Sequence, residues 1–211
     1  MESKKINNNE HPYVDLGLPS GTLWSTCNVG ASKPSELGLY FQWGDTKGYK
    51  EDQVGMEKGK KTFEFEDYKW FTNYIERKFT KYTKRSSKLK LEDDAANFNM
   101  GGDWHMPTNE QIEELLDKAN TKCDWIELDG ISGMKITSRK DETKSIFIPA
   151  AGYGWYKEVF GVENIGCIWS SMLDENDTNC CYGQRFYVGP YGVKTGYTYR
   201  YYGFSVRGVI G

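Results

Sequence analysis

The chain has 211 residues and a formal net charge of −3, which excludes the basic balance expected of a nucleic-acid-binding domain. Apolar residues make up 38%, aromatics 15%, and there are 23 glycines, the make-up of a turn-rich globular protein with enough chain for one sizeable core. No apolar run reaches membrane-spanning length, so no membrane insertion is expected.

Residues 1–12 are polar and without an apolar stretch, and read as a flexible lead with no signal peptide. Residues 13–211 carry no internal repeat or linker and read as a single domain. Tyr13–Leu18 is a short strand, Pro19-Ser20-Gly21 a turn, and Thr22–Val29 its hairpin partner. Gly38–Gly44 (GLYFQWG) is a compact aromatic cluster for the core. From Asp45 to about Leu89 no period is sustained. The basic run Arg77–Lys90, which includes Lys81, Lys84 and Arg85, reads as a solvated insertion, with a polyanion-binding patch as the alternative.

Leu91–Phe98 suits a short helix. Thr108 with Gln111 forms a capping box for a helix over residues 109–119, whose Ile112, Leu115, Leu116 and Ala119 recur at helical spacing. A polar–apolar alternation around Gly133–Ile136 precedes a turn at Arg139–Thr143. Ser145–Gly152 is a buried strand ended by Pro149 and Gly152, and residues 153–166 read as a Gly/Tyr/Trp-rich loop.

The C-terminal stretch Gly166–Gly211 begins with Cys167-Ile168-Trp169-Ser170-Ser171 and closes with Gly203-Phe204-Ser205-Val206-Arg207, both strand-like and buried. Between them Tyr182, Tyr187, Tyr191, Tyr197, Tyr199, Tyr201 and Tyr202 are seven of the chain's fifteen tyrosines. Tyrosine gives a large amphipathic surface at low rotamer cost, and glycine and threonine give adaptable hydrogen bonding, the chemistry of a paratope. Phe186, Val188, Val193, Phe204 and Val206 are expected to point inward. A packed sheet needs aromatics on one face only, whereas Tyr197, Tyr199 and Tyr201 alternate with Thr198, Arg200 and Tyr202, which leaves several rings for a contact surface. The expected ligand-binding residues are Cys180, Cys181, Tyr182, Gln184, Arg185, Tyr187, Tyr191, Gly196, Tyr197, Thr198, Tyr199, Tyr201 and Tyr202. Arg185 is expected to be a hot spot for an acidic or aromatic partner. Residues 180–202 as a whole read as replaceable without loss of the fold.

Enzymatic chemistry has little support. His11 and His105 are the only histidines, and no nucleophile elbow, phosphate loop or dinucleotide fingerprint occurs. His105, next to Trp104, reads as hydrogen-bonded structure. Cys27, Cys123, Cys167, Cys180 and Cys181 are odd in number and irregular in spacing, so they give neither a disulfide framework nor a metal pattern. No catalytic residue, metal or cofactor is expected.

Several fragments in order carry a family resemblance. They are Tyr13–Trp24 (YVDLGLPSGTLW) with Cys27–Ala31, Tyr40–Gly44 (YFQWG), Asp93–Ala96 and Gly102–Thr108 (GDWHMPT). Ile148–Gly152 (IPAAG), Trp169-Ser170-Ser171 and Gly203–Arg207 (GFSVR) complete the set. Together they resemble the Bacteroidetes-type C-type-lectin-fold domains of the formylglycine-generating-enzyme subclass. Within these the chain looks most like variable proteins of diversity-generating retroelements, over about residues 13–210. His105 stands where that family usually has Arg, and Gly208 where it often has Pro.

The resemblance implies an α+β domain of small antiparallel sheets and two short helices, with the first and last strands paired. It also implies a binding face on the C-terminal strands and loops. Undiversified relatives carry Asn runs around the positions matching Gly196–Tyr199 and Tyr202, a pattern that adenine-directed mutagenesis of Asn codons would turn into Tyr, Thr, Gly or Cys. The implied partner is a protein or cell-surface ligand, bound by a virion or a bacterial surface. Two alternatives follow from the same fold. One is a Ca²⁺-dependent carbohydrate lectin, with oxygen ligands drawn from Asp174-Glu175-Asn176-Asp177, although the sugar-binding tripeptides of such lectins are absent. The other is a copper-dependent oxidase of the formylglycine-generating kind, whose spaced cysteine pair Cys180-Cys181 does not match.

Overall fold

A computed structural model describes residues 11–71, 78–85 and 87–211; residues 1–10 of the expected lead, and Arg77 of the basic run, lie outside the described residues. The chain is α+β. β1 (Tyr13–Asp15), β2 (Leu23–Asn28) and β11 (Arg207–Ile210) form one sheet. β3 (Thr121–Leu128), β4 (Ile131–Ser138) and β5 (Ser145–Pro149) form a second. β6 (Ala151–Trp155), β7 (Glu158–Val162), β8 (Gly166–Leu173), β9 (Tyr182–Gly189) and β10 (Gly192–Tyr199) form a third, in the order β10-β9-β8-β6-β7. Two short helices, α1 (Ala95–Met100) and α2 (Asn109–Leu116), lie between the first and second sheets in sequence.

Local chemistry accounts for these elements. β3 and β4 are joined by Asp129-Gly130, both at positive φ (53° and 83°), the backbone that a tight two-residue hairpin requires. The Thr108 hydroxyl accepts from the Gln111 amide while the Gln111 side chain accepts from the Thr108 amide, closing the capping box at the start of α2. Asp94 caps α1 by accepting from Ala96 and Asn97, and the same carboxylate takes the Met106 amide, which ties the helix to the turn that follows. Burial raises its pKa above the ordinary carboxylate value, although these amides act in the opposite direction.

Four expectations are corrected. α2 stops at Leu116, not 119, and Ala119 is exposed. The carbonyls of Glu114 and Leu115 are taken by the Asn120 and Thr121 side chains, which end the helix without a glycine. Residues 153–166 are not a loop: Tyr153–Trp155 and Glu158–Val162 pair as a hairpin turning at Tyr156, which takes the left-handed conformation. The last strand pairs with β2 rather than with the first strand, so β1 and β11 flank β2 from either side. The basic run is not merely solvated, because Leu89 within it is buried, as are Val54, Phe63 and Tyr68 of the segment before it.

Two clusters make up most of the core. One gathers Trp43, Trp104, Met106, Trp169, Phe204 and Val206; the other gathers Trp24, Ile112, Leu115, Ile136, Ile148, Ile168, Phe186 and Val188. Phe186, Val188, Phe204 and Val206 point inward as expected, while Val193 is only partly covered. Arg207 is fully buried and bridges two sheets. Its guanidinium donates to Asn28 Oδ1 (3.1 Å), to the Ser25 carbonyl (3.0 Å) and to the Phe147 carbonyl (2.9 Å). That bridge fixes the C-terminal strand to β2 and β5, and so sets where the residues before it emerge.

Candidate ligand-binding face

β9 and β10 pair over their full length, from Tyr182↔Tyr199 to Gly189↔Gly192, and this register decides which side chains meet. Residues opposite one another share a face. Tyr182, Tyr199, Gln184 and Tyr197 therefore lie on one side, and Gly183, Thr198, Arg185, Gly196 and Tyr187 on the other. β10 is an edge strand, so its side chains are covered from one flank only, and Tyr197 and Tyr199 are 56% and 37% exposed.

The rings form a continuous string. Tyr197 lies 5.4 Å from Tyr182, Tyr182 4.7 Å from Tyr199, and Tyr199 5.2 Å from Tyr201, centroid to centroid. Tyr201 is 5.2 Å from Tyr202, which stacks on Tyr153 from the β6–β7 hairpin and approaches Trp155. Such offset and edge contacts lie in the favourable range for aromatic pairs. A hydrogen bond with Tyr199, helped by burial, raises the Tyr182 phenol to about 12, and burial raises Tyr201 to about 12. These hydroxyls stay protonated at neutral pH and can both donate and accept.

A second wall comes from the segment 45–89. Phe65 stands edge-on to Tyr201 at 5.3 Å and packs with Phe71 and Phe79. Between this wall and the hairpin opens a cleft of about 800 Å³ lined by Phe65, Phe79, Thr83, Asp177, Cys181, Tyr182, Tyr199 and Tyr201, among others. Sequence reasoning missed the contribution of Phe65, Phe79 and Thr83, because a segment without period gives no clue to what it packs against.

Arg200 joins the two walls from beneath. It is fully buried, with its guanidinium 4.2 Å over the Phe79 ring and 5.2 Å over Trp43. It donates to the carbonyls of Lys81 (3.0 Å) and Tyr82. Its own amide donates to the Cys181 carbonyl, and its carbonyl accepts from Trp43. Lys81, one of the basic run, is engaged by Glu92 at 3.1 Å and by Asp93.

Not every expected residue joins the face. The Cys180 side chain is buried, in the same core cluster as Trp43 and Trp169, rather than displayed, and its backbone takes a positive φ of 54°. Tyr191 is fully exposed, but it sits at the β9–β10 turn, at the opposite end of the hairpin from the Tyr182–Tyr199 pair. An eight-residue strand separates the two ends by roughly 25 Å. Nor is the whole of 180–202 replaceable. Gly183 leaves no room for a side chain, since a Cβ there would lie 2.9 Å from Trp43 and 3.0 Å from Trp169; Phe186, Val188 and Arg200 are core. Cys181, Tyr182, Gln184, Tyr197, Tyr199, Tyr201 and Tyr202 remain on or beside the face, whereas Arg185, Tyr187, Gly196 and Thr198 lie on the other side of the hairpin, because opposed residues alternate sides along the strands.

The acidic turn 174–177 spends its oxygens on the backbone. Asp177 accepts from the amides of Asn179 (2.9 Å), Tyr182 (3.1 Å) and Cys181, and Asp174 accepts from Asn176 (3.1 Å). Burial raises both Cys180 and Cys181 above the ordinary thiol value, the reverse of the shift that activates a nucleophilic thiolate. His105 has its two ring nitrogens 2.9 Å from the Met106 carbonyl and 3.1 Å from the Gly211 carbonyl, a position that fastens the terminal sheet.

Comparison with protein-family models, with curated proteins and with solved structures finds no match for this chain.

Proposed function

We propose that this protein is a non-enzymatic ligand-binding module of the C-type-lectin fold, in the formylglycine-generating-enzyme subclass. Its C-terminal hairpin is a contact face diversified by a retroelement. The ligand is a protein or a cell-surface feature, bound by a receptor-binding or surface-display protein. One observation carries the reading: an unbroken string of tyrosines from Tyr197 on the edge strand through Tyr182 and Tyr199 to Tyr201, more than a third exposed at Tyr197 and Tyr199, with Tyr182, Tyr199 and Tyr201 lining a cleft. A string of that composition supplies broad, rigid, amphipathic contact with little rotamer entropy to lose. The three small sheets, the two short helices and the gathering of β1 and β11 about β2 are in keeping with the fold. In the acidic turn the Asp174 and Asp177 carboxylates accept from backbone amides, which favours recognition without an obligatory Ca²⁺.

Selection of a phage-displayed random peptide library on the immobilised protein tests the face. Peptides enriched on the wild type are expected to be lost on the Tyr197→Ser/Tyr199→Ser double variant while its melting temperature falls by only a few degrees, as surface substitutions do. Equal enrichment on the variant would move the site elsewhere. Diversification is read from the gene's neighbourhood. A reverse transcriptase and a template repeat differing from codons 180–202 only at template adenines are expected, and differences at other bases would refute it.

A further inference from the structure

The opposite side of the same hairpin holds a second cleft, of about 370 Å³, and one charged group in it lacks a partner. Tyr153, Ile165, Tyr187, Tyr202 and Phe204 form its walls, with Arg185 the one cation lining it. The Arg185 guanidinium lies 5.1 Å from the Tyr187 ring centroid and 5.7 Å from that of Phe204, within cation–π range of both rings. Its Nε and Nη1 are shielded from solvent and meet no acceptor, and among the described residues no carboxylate comes within salt-bridge distance of it. This differs from Arg200 and Arg207, whose guanidinium groups are bonded to backbone carbonyls. The side chain is half-buried, but two shielded N–H donors without an acceptor are an unfavourable arrangement unless a ligand completes them. Placed among apolar rings, it matches a planar carboxylate carried on an apolar body, which a guanidinium fork can grip through two bonds.

We propose that this cleft is a subsite for an aromatic carboxylate, the ring lying among Tyr153, Tyr202 and Phe204 and the carboxylate on Arg185. A doubly charged phosphate fits less well, since the lining offers a single positive charge. The proposal rests on the reading of this hairpin as a binding element, with Arg185, Tyr187 and Thr198 on the side away from Tyr182 and Tyr199. Its test uses free acids, so it can fail while the tyrosine string still binds peptides, and the reverse.

The test titrates benzoate, and separately its neutral analogue benzamide, into protein carrying ¹⁵N-labelled arginine, and follows the Nε–H resonances. Benzoate is expected to shift the Arg185 signal saturably and to bind at least about tenfold more tightly than benzamide, leaving the Arg200 and Arg207 signals in place. Arg185→Gln is expected to weaken benzoate by a similar factor. Should that variant lose its fold, the benzoate–benzamide ratio on the wild type decides alone. Equal binding of the two compounds, or no saturable shift of Arg185 into the tens of millimolar, would overturn the proposal. Competition by a peptide ending in phenylalanine, abolished by amidating its terminus, assigns the carboxylate to a chain end. Competition by an amidated peptide with a Phe-Asp pair assigns it to a side chain.

Discussion

Arg185 and Arg200 lie fifteen positions apart in one hairpin and its exit, and the fold puts them to opposite uses. Arg200 has the sequence surroundings of a face residue, alternating with Tyr199 and Tyr201, yet β10 ends at Tyr199 and the chain turns there, swinging Arg200 inward. Nothing local announces that reversal, because strand period predicts sides only while the strand lasts. Once inside, its guanidinium serves two carbonyls of the segment 45–89 and covers Phe79. Arg200→Ala is expected to cost about 3 kcal/mol, from the orphaned carbonyls and the space left, and to lower the melting temperature by roughly 6–12 °C. Hydrogen exchange at residues 78–85 should rise in the same variant. Unchanged exchange there would mean that the aromatic wall stands without it.

Among the elements, the parts legible in the sequence are those whose signals are short in range. The β1–β2 hairpin has a Pro-Ser-Gly turn, α2 has a capping box, and β4 shows alternation; all three stand where they were expected, with α2 shorter. The β6–β7 hairpin was not legible, because its glycines and aromatics resemble loop composition and its turn is made by Tyr156 rather than by a turn-forming residue. β3 was missed for a related reason: its partly covered residues show no clean two-fold pattern. Within β9 the glycine at 183 was read as part of an adaptable surface, whereas it lets two tryptophans approach the backbone. Gly183→Ala is expected to destabilise by about 1–3 kcal/mol in a denaturant titration, with the denaturant slope unchanged. A neutral result would show that Trp43 and Trp169 can part at little expense.

At the scale of the whole molecule, the aromatic content that suggested a contact surface also sets the alkaline limit. Burial holds the phenols of Tyr40 and Tyr68 well above their ordinary value, raises Tyr82 and Tyr201 to about 12, and raises Tyr202 as well. A phenol with a folded pKa above its unfolded one, near 10, favours the folded chain fully below pH 10. That contribution is lost as the pH rises from there through the folded value. Phenolate absorbance is therefore expected to show the exposed tyrosines ionising first, and the rest appearing together with loss of near-ultraviolet dichroism above about pH 11. One simple titration of all fifteen near pH 10, with the dichroism intact, would contradict the packing described for these rings. The α+β class came from the ordered fragments that carry the family resemblance, not from the period of the segments between them. The position of the cleft was not legible, since its two walls come from segments 94 or more residues apart, Thr83 to Asp177 at the nearest, and only one of them carried a pattern.

The place of β10 at the rim of its sheet has a consequence for heredity. Among the described strands it has one ladder neighbour, and the Gly183, Phe186 and Val188 beneath it belong to that neighbour, not to β10 itself. A codon changed at 196, 197 or 198 thus disturbs chiefly a single row of cross-strand contacts. Variants altered at 196, 197 or 198 are therefore expected to keep nearly the same unfolding curve, so that this row of letters can be rewritten between generations without loss of the fold.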